Sequence, residues 1–361
     1  MKIALVHPKI HPFGGAEYYA YRLARGLIDR GHEVHLFVRQ TRGVPEGAVV
    51  HRVPTAPAGR GLKALSFAVG AGRAVGRDAY DVVQGLGKTS FQTVHRTGGG
   101  VHRAYLEKIG ARRRTLYDRV AIRIEDRLYA SRRLQAVICA SSLIGREVER
   151  FYPAAAPKVR IIPTGVDTGH FTPEGREADR ARLTAELGIP AGAPLLLFVG
   201  TNFHRKGLDL AVEALAHLPG CHLVAAGGDA RGPFEALARG LGVADRVHFV
   251  GFRTDRPALY RAADVFVFPT RYDPFANVCL EALACGTPVV TSDGDGAAEV
   301  VAETSAGEVT PLAAGGRGAA ASVRAVLERG EGCREAARRC ALGHSQDKHV
   351  EAVEALYEAV R

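Results

Sequence analysis

The chain has 361 residues, 47% of them apolar, and a formal net charge of +10. That length is about twice the usual domain, so two domains with sizeable cores are expected. No apolar run approaches the ~20 residues of a membrane-crossing helix, and six scattered cysteines without a Cys-x-x-Cys or His–Cys cluster exclude a zinc module and point to reduced thiols in a cytoplasmic protein.

Met1-Lys2-Ile3-Ala4-Leu5-Val6 passes straight into a strand, without an apolar leader or cleavage site, so no signal peptide is expected. Ile3–His7 reads as a strand and Pro12-Phe13-Gly14-Gly15 as a turn. Ala16–Arg30 follows as a helix with Ala16, Tyr19, Leu23 and Leu27 on one face, stopped by Gly31. Glu33–Val38 is a second strand. Further strands are expected at Val49–Val53, Asp81–Gln84, Thr93–Arg96, Ala136–Ala140 and Val159–Ile162. This βαβ rhythm argues a doubly wound parallel sheet.

Between Val101 and Leu134 the charge is uneven. Ten basic residues (Arg103, Lys108, Arg112, Arg113, Arg114, Arg119, Arg123, Arg127, Arg132, Arg133) face four acids (Glu107, Asp118, Glu125, Asp126). The segment is either a solvated helix face or a surface for anionic lipid or a phosphorylated acceptor. No finger or aromatic–basic pattern accompanies it, so nucleic acid is not an expected partner.

Pro163-Thr164-Gly165-Val166-Asp167, followed by Phe171 and Pro173, breaks the rhythm as a linker would. Strands then resume at Leu195–Gly200, His222–Gly227 and Val247–Phe249, with helices over Leu208–Leu218 and Gly232–Leu241 between them. Weaker helices fill Gly318–Leu342 and His349–Val360. Two α/β domains in tandem imply a ligand cleft between them.

The densest unit runs from Asp264 to Glu299. Val265–Phe268 is an apolar strand stopped by Pro269, and Asp273-Pro274 reads as a helix start. Leu280, Leu283 and Ala284 keep helical spacing until Gly286-Thr287-Pro288 ends the helix before Val289-Val290. Asp273 then sits at the mouth of a helix and Glu281 on its body about two turns later. A helix N-terminus at a strand's carboxyl end holds phosphate. Two acids beside a phosphate are repelled unless each binds hydroxyls, a demand that sugar and ribose meet.

In this order the residues resemble a retaining GT-B glycosyltransferase of the family 4 type, the large family that includes sucrose, mannosyl and lipopolysaccharide-core transferases. The resemblance covers nearly the whole chain. It rests on Phe13-Gly14-Gly15-Ala16-Glu17, on Pro163-Thr164-Gly165-Val166-Asp167 with Phe171, and on Gly200–Gly207 ending in Arg205-Lys206-Gly207. Ala262-Ala263-Asp264-Val265 and the pair of acids Asp273 and Glu281 complete it. Arg-Lys-Gly and the segment Thr97–Arg103 look most like bacterial lipopolysaccharide-core enzymes. The resemblance implies two Rossmann-like domains facing a cleft: residues 1–165, with 345–361 packing back on them, and a nucleotide-sugar domain of residues 166–344.

It also implies roles. Arg205 and Lys206 would hold the diphosphate, Gly14 and Gly15 would let backbone N–H groups approach it, and Asn277 and Val278 would present theirs from the helix mouth. Glu281 would hold the ribose hydroxyls, and Arg253 would border the base. Asp273 would contact the donated sugar, one methylene shorter than the Glu usual in relatives. Phe275-Ala276 replaces the commoner Phe-Gly. His102 would stand near the anomeric carbon, with His95 as the alternative, although Gly99 occupies the place where lipopolysaccharide relatives often carry an acid. His204 could touch phosphate, and Glu17 could be a plain helix-start charge or an acceptor contact.

A leaving diphosphate of about −3 meets about +2 from Arg205 and Lys206 and about +0.5 from each of two helix N-termini, so neither a metal nor another cofactor is expected. Asp293-Gly294-Asp295 imitates a metal-binding Asp-x-Asp but falls in a turn. The expected reaction moves a hexose from a UDP-glucose-like donor to a glycan or glycolipid acceptor at the inner face of the cell membrane. A nucleotide-sugar epimerase on the same plan, or a non-catalytic sugar-binding protein, is the alternative.

Overall fold

The structure is a computed structural model and describes residues 1–12, 15–57 and 59–361. It divides into two compact units, Met1–Thr164 with Gln346–Arg361, and Gly165–Ser345.

The first unit runs β1 (Lys2–Val6), β2 (Lys9–Ile10), α1 (Ala16–Asp29), β3 (Glu33–Val38), β4 (Gln40–Thr41), β5 (Val49–Arg52) and α2 (Arg60–Val75). It continues with β6 (Val82–Gly85), β7 (Val94–Arg96), α3 (His102–Lys108), α4 (Leu116–Tyr129), β8 (Ala136–Cys139), α5 (Ser142–Phe151) and β9 (Val159–Ile161). Seven of these strands form one parallel sheet in the order β5-β3-β1-β6-β7-β8-β9. Alternation along β1 decides the layers. Ile3 and Leu5 join a core with Leu23 and Leu27 of α1 and with Val350, Val353 and Tyr357 near the chain's end. Ala4 and Val6 join the opposite core with Phe67, Ala71 and Val75 of α2.

The sequence reading places no helix over 60–75, because Gly61, Gly70 and Gly72 weaken helix propensity there. Packing overrides propensity. A Cβ on Gly70 would come within 3.0 Å of the Val53 side chain, and one on Gly72 within 3.0 Å of Phe91. Helix α4 has stronger local instructions, since Thr115 and Asp118 form a capping box at its start.

The second unit runs α6 (Arg176–Leu187), β10 (Leu195–Val199), α7 (Leu208–Ala216), β11 (His222–Ala226), α8 (Gly232–Gly240), β12 (Val247–Gly251) and α9 (Arg256–Ala262). Then come β13 (Val265–Phe268), α10 (Asn277–Ala284), β14 (Val289–Ser292), α11 (Ala298–Glu303), β15 (Gly307–Thr310) and α12 (Gly315–Gly343), which kinks at Gly330. The sheet is parallel, in the order β12-β11-β10-β13-β14-β15. Every residue of β10, β13 and β14 is buried, as strands covered on both faces require. The last helix, α13 (Gln346–Ala359), belongs to the first unit, where it packs on α1.

Candidate active site

In the second unit, the loops after β10 and β13 are stitched together at the carboxyl edge of the sheet. Arg271 N–H and the Thr270 hydroxyl both donate to the Arg205 carbonyl, at 2.8 and 3.1 Å. The Arg205 guanidinium donates to the Tyr272 carbonyl at 2.7 Å. Arg271 grips Asp209 in the first turn of α7 through two nitrogens, at 2.9 and 2.6 Å, and donates to the His204 carbonyl. Gly207 is dictated by this closeness. Its φ is +81°, and a Cβ there would lie 2.0 Å from the Pro269 carbonyl oxygen.

The stitching brings Lys206 onto Asp273, forming an ion pair whose side chains are 13% and 11% exposed. Burial and the neighbouring Arg205 cation push the Lys206 ammonium down, to about 7. The Asp273 carboxylate in contact with it works the other way. Asp273 therefore removes one charge from the sum made on Arg205 and Lys206 alone, a contact invisible at a separation of 67 residues.

The helix carrying Glu281 starts later than Asp273-Pro274 suggests. It begins at Asn277, with Ala276 as its cap. Asp273 N–H bonds the Gly294 carbonyl and Gly296 N–H bonds the Asp273 carbonyl, both at 2.9 Å, so this stretch is held as a bridge. Ala276 offers no side-chain cap to the N-terminus of α10. The buried Asn277 Oδ1 has no hydrogen-bond partner among the described residues.

Asp295 anchors the loop. It accepts from Ala276 N–H at 3.0 Å, Ala297 N–H at 2.9 Å and the Thr291 hydroxyl at 2.8 Å. Burial pushes its carboxyl up, and those donors partly offset the shift. Asp293 accepts from Leu312 N–H, at 3.0 Å, and a Cβ on Gly294 would come within 2.7 Å of the Thr270 and Arg271 carbonyls. The Asp-Gly-Asp carboxylates thus serve the fold.

Glu281 is buried, and its two oxygens take Arg256 at 3.0 and 2.7 Å and the Tyr260 hydroxyl at 2.9 Å. Sequence reasoning missed Arg256 and Tyr260. Their one signal is the i,i+4 spacing on a short amphipathic helix. Arg253 is gripped by Asp255 at 2.9 and 2.8 Å and by Glu186 at 2.6 Å, which raises its pKa further.

In the first unit, Gly14 lies outside the described residues, as does Phe13. Gly15 caps α1, and a Cβ on it would meet no described atom within 4 Å. His102 is buried at the start of α3. Its backbone N–H reaches the Glu125 carboxylate at 3.1 Å, and its Nε2 lies 2.9 Å from Asp118 Oδ1. The ring lines a cavity of about 610 Å³ with Tyr105, Tyr117, Leu116, Arg60 and Arg113. His95 is also buried, and burial pushes its pKa down, to about 3.

The comparisons agree with this architecture. Residues 179–340 match the family model described as glycosyl transferases group 1. Residues 13–170 match that of Glycosyltransferase Family 4. The D-inositol 3-phosphate glycosyltransferase of Xylanimonas cellulosilytica is 33% identical over 333 residues, 80% of this chain and 77% of that one. The lipopolysaccharide glucosyltransferase WaaG of Escherichia coli is 27% identical over 321 residues, 86% of this chain and 85% of that one. The crystal structure of WaaG, a glycosyltransferase involved in lipopolysaccharide biosynthesis, matches with a TM-score of 0.82 at 25% identity, covering 98% of this chain and 99% of that one. Two parallel-sheet Rossmann-like units of this kind make the GT-B fold. The chain belongs to the group 1 glycosyltransferases, with a family 4 N-terminal half.

Proposed function

We propose that this glycosyltransferase moves a hexose, with retention and without a metal, from a UDP-glucose-like donor to a hydroxyl of a saccharide or lipid-linked acceptor in cell-envelope glycan synthesis. The observation that carries the reading is the cluster of Arg205, Lys206 and Asp273 leading into an uncapped helix start with an orphaned Asn277 oxygen. Cations and unpaired N–H groups suit a diphosphate, and a carboxylate beside them suits sugar hydroxyls. Glu281, held in place by Arg256 and Tyr260, is the acid that meets the ribose hydroxyls. His102, steadied by Asp118, stands near the anomeric carbon. The bond from the anomeric carbon to the phosphate oxygen breaks as positive charge stabilises the diphosphate. The acceptor oxygen bonds that carbon on the same face, and its proton passes to a phosphate oxygen.

Among the described residues no helix is long and apolar enough to cross a membrane. A peripheral contact with an anionic inner leaflet has its own support. The four acids of the 101–134 segment turn to partners, Glu107 to Arg150, Asp118 to His102, Glu125 to Lys88 and Asp126 to Arg103. Arg112, Arg113, Arg114, Arg119 and Arg123 stay exposed, near exposed Leu116 and Ile109.

A thermal-shift panel of UDP, GDP, ADP, CDP and NAD, with and without EDTA, tests the donor reading. A nucleoside diphosphate at 100 times its Kd adds about 2.7 kcal/mol. One diphosphate should stabilise, with no response to EDTA and with loss in Glu281→Ala. A shift with NAD alone, or with none, would sink the reading. Reversal of Arg112, Arg113 and Arg114 to Glu should release the protein from anionic liposomes; retention would remove the membrane contact.

A further inference from the structure

Beyond the carboxyl ends of β1 and β3, the first unit contains a cavity of about 220 Å³ lined by Lys9, His11, Gln40, Thr41 and Arg42. The short parallel pair β2–β4 builds it. Lys9 stands opposite Gln40, and Ile10 opposite Thr41. Side chains alternate along a strand. With Ile10 fully buried, Lys9 and His11 share the other face, beside Gln40 and Arg42. The lining holds two cations, an imidazole, an amide and a hydroxyl, and no carboxylate. Neither Lys9 nor Arg42 makes an ion pair among the described residues, whereas Arg103, Arg180 and Arg271 on other surfaces all find one.

The positive field extends along this edge. Arg96, at the end of β7, is 7% exposed, and its Nε has no partner among the described residues. It lies 3.6 Å from the Tyr19 ring centre and donates to the Thr164 hydroxyl at 2.9 Å, with no ion pair among the described residues. Burial pushes the pKa of the intervening His7 down, the Lys9 carbonyl and the Glu17 carboxylate work the other way, and His11 and Arg96 push it further down. The edge is also the right place for a ligand. Strand order reverses between β1 and β6, and open parallel sheets bind at the carboxyl ends beside that switch.

We propose that this pocket holds a phosphate monoester carried by the acceptor. The proposal rests on the transferase reading only for the word acceptor; the pocket's anion affinity stands apart from it. A monoester carries about −1.5 to −2 at neutral pH and three strong acceptor oxygens. Lys9 and Arg42 match that charge, and Gln40 and His11 add donors, while the Thr41 hydroxyl is already donated to the Gly43 carbonyl at 2.7 Å. A carboxylate would leave half of these groups unused.

The test is calorimetric titration of the full chain, saturated with UDP, using glucose 6-phosphate as the sugar monoester probe and glucose and glucuronate as controls. Glucose 6-phosphate should bind, and each of Lys9→Ala and Arg42→Ala should weaken it about tenfold or more. Both side chains are exposed, so melting temperatures should be unchanged. Lys206→Ala should leave this binding intact. Equal affinity in Lys9→Ala/Arg42→Ala and the parent overturns the proposal. So does glucuronate binding as well as the phosphate, or loss of all binding in Lys206→Ala. If UDP fails to bind, the donor reading of the second unit fails, while the same titration without UDP still decides the pocket.

Discussion

Asp273→Asn isolates the electrostatics of the second unit's site. It leaves the Lys206 ammonium in a setting where its side chain is 13% exposed and its counter-charge is gone. Breaking one side of a buried pair costs about 3–5 kcal/mol, and an amide oxygen that can still accept from the ammonium sets the expectation at about 3. At about 2–4 °C per kcal/mol for a unit of this size, the melting temperature should fall by about 6–12 °C. Nucleotide should repair the defect, because the diphosphate returns negative charge to Lys206. UDP should therefore raise the melting temperature of Asp273→Asn more than that of the parent, while sugar transfer falls with the lost hydroxyl contact. Alkali should repair it too. The unfolded chain binds the lysine proton more tightly than the folded one, so stability rises with pH from about 7 towards the ordinary lysine value. Scanning fluorimetry with and without UDP, at neutral pH and at mild alkali, reads both effects. A variant that melts like the parent, or that UDP stabilises less, would refute the reasoning.

Gly207→Ala places a methyl carbon 2.0 Å from the Pro269 carbonyl at a φ of +81°. With left-handed strain of about 1–2 kcal/mol and the overlap added, urea melts should show a loss of about 3 kcal/mol or more. A change under about 0.5 kcal/mol, the ordinary surface value, would contradict the geometry. His349 bonds the Tyr19 hydroxyl and the Pro163 carbonyl, and burial pushes its pKa down, to about 3. His95 is pushed to the same value. As pH falls below about 6.5 the unfolded chain takes these protons first, so each histidine removes about 1.4 kcal/mol of stability per pH unit. Urea midpoints between pH 7 and 5 should show this decline, and His349→Gln should take about 1.4 kcal/mol per pH unit off the slope. An unchanged slope in that variant would mean His349 ionises normally in the fold. Tyr260→Phe removes one donor from Glu281 and should weaken UDP by about 1.5–3 kcal/mol, read by titration. Unaltered UDP affinity would show that Glu281 needs no such hold.

The strands were legible because parallel sheets covered on both faces write short apolar runs. Glu33–Val38 and Val265–Phe268 stand where the sequence reading puts them. Helix α2 was not legible, because its glycines obey the neighbouring Val53 and Phe91 rather than propensity. In the site, Arg205-Lys206-Gly207 was visible as a cluster of charge before a helix. Its partners were not, since Lys206 meets Asp273 only after two separate strands are paired. The helix start was misplaced for a similar reason. Pro274 is a fair local signal, but the bridge to Asp295 keeps Asp273 out of the helix. Arg256 and Tyr260 reach Glu281 from α9, and their i,i+4 spacing shows that they share a helix face without showing which acid that face meets.

The return of α13 to the first unit has a consequence for how the protein is made. Val350, Val353 and Tyr357 are fully buried in that unit's core, and each such side chain contributes about 1.5–3 kcal/mol. On the ribosome these residues emerge only after the whole of Gly165–Ser345 has been synthesised. The unit translated first must therefore wait with an open apolar groove along α1, while the unit translated second can close on its own residues. Completion runs against the order of synthesis, and a nascent chain stalled near residue 345 would expose to chaperones the same surface that α13 later seals.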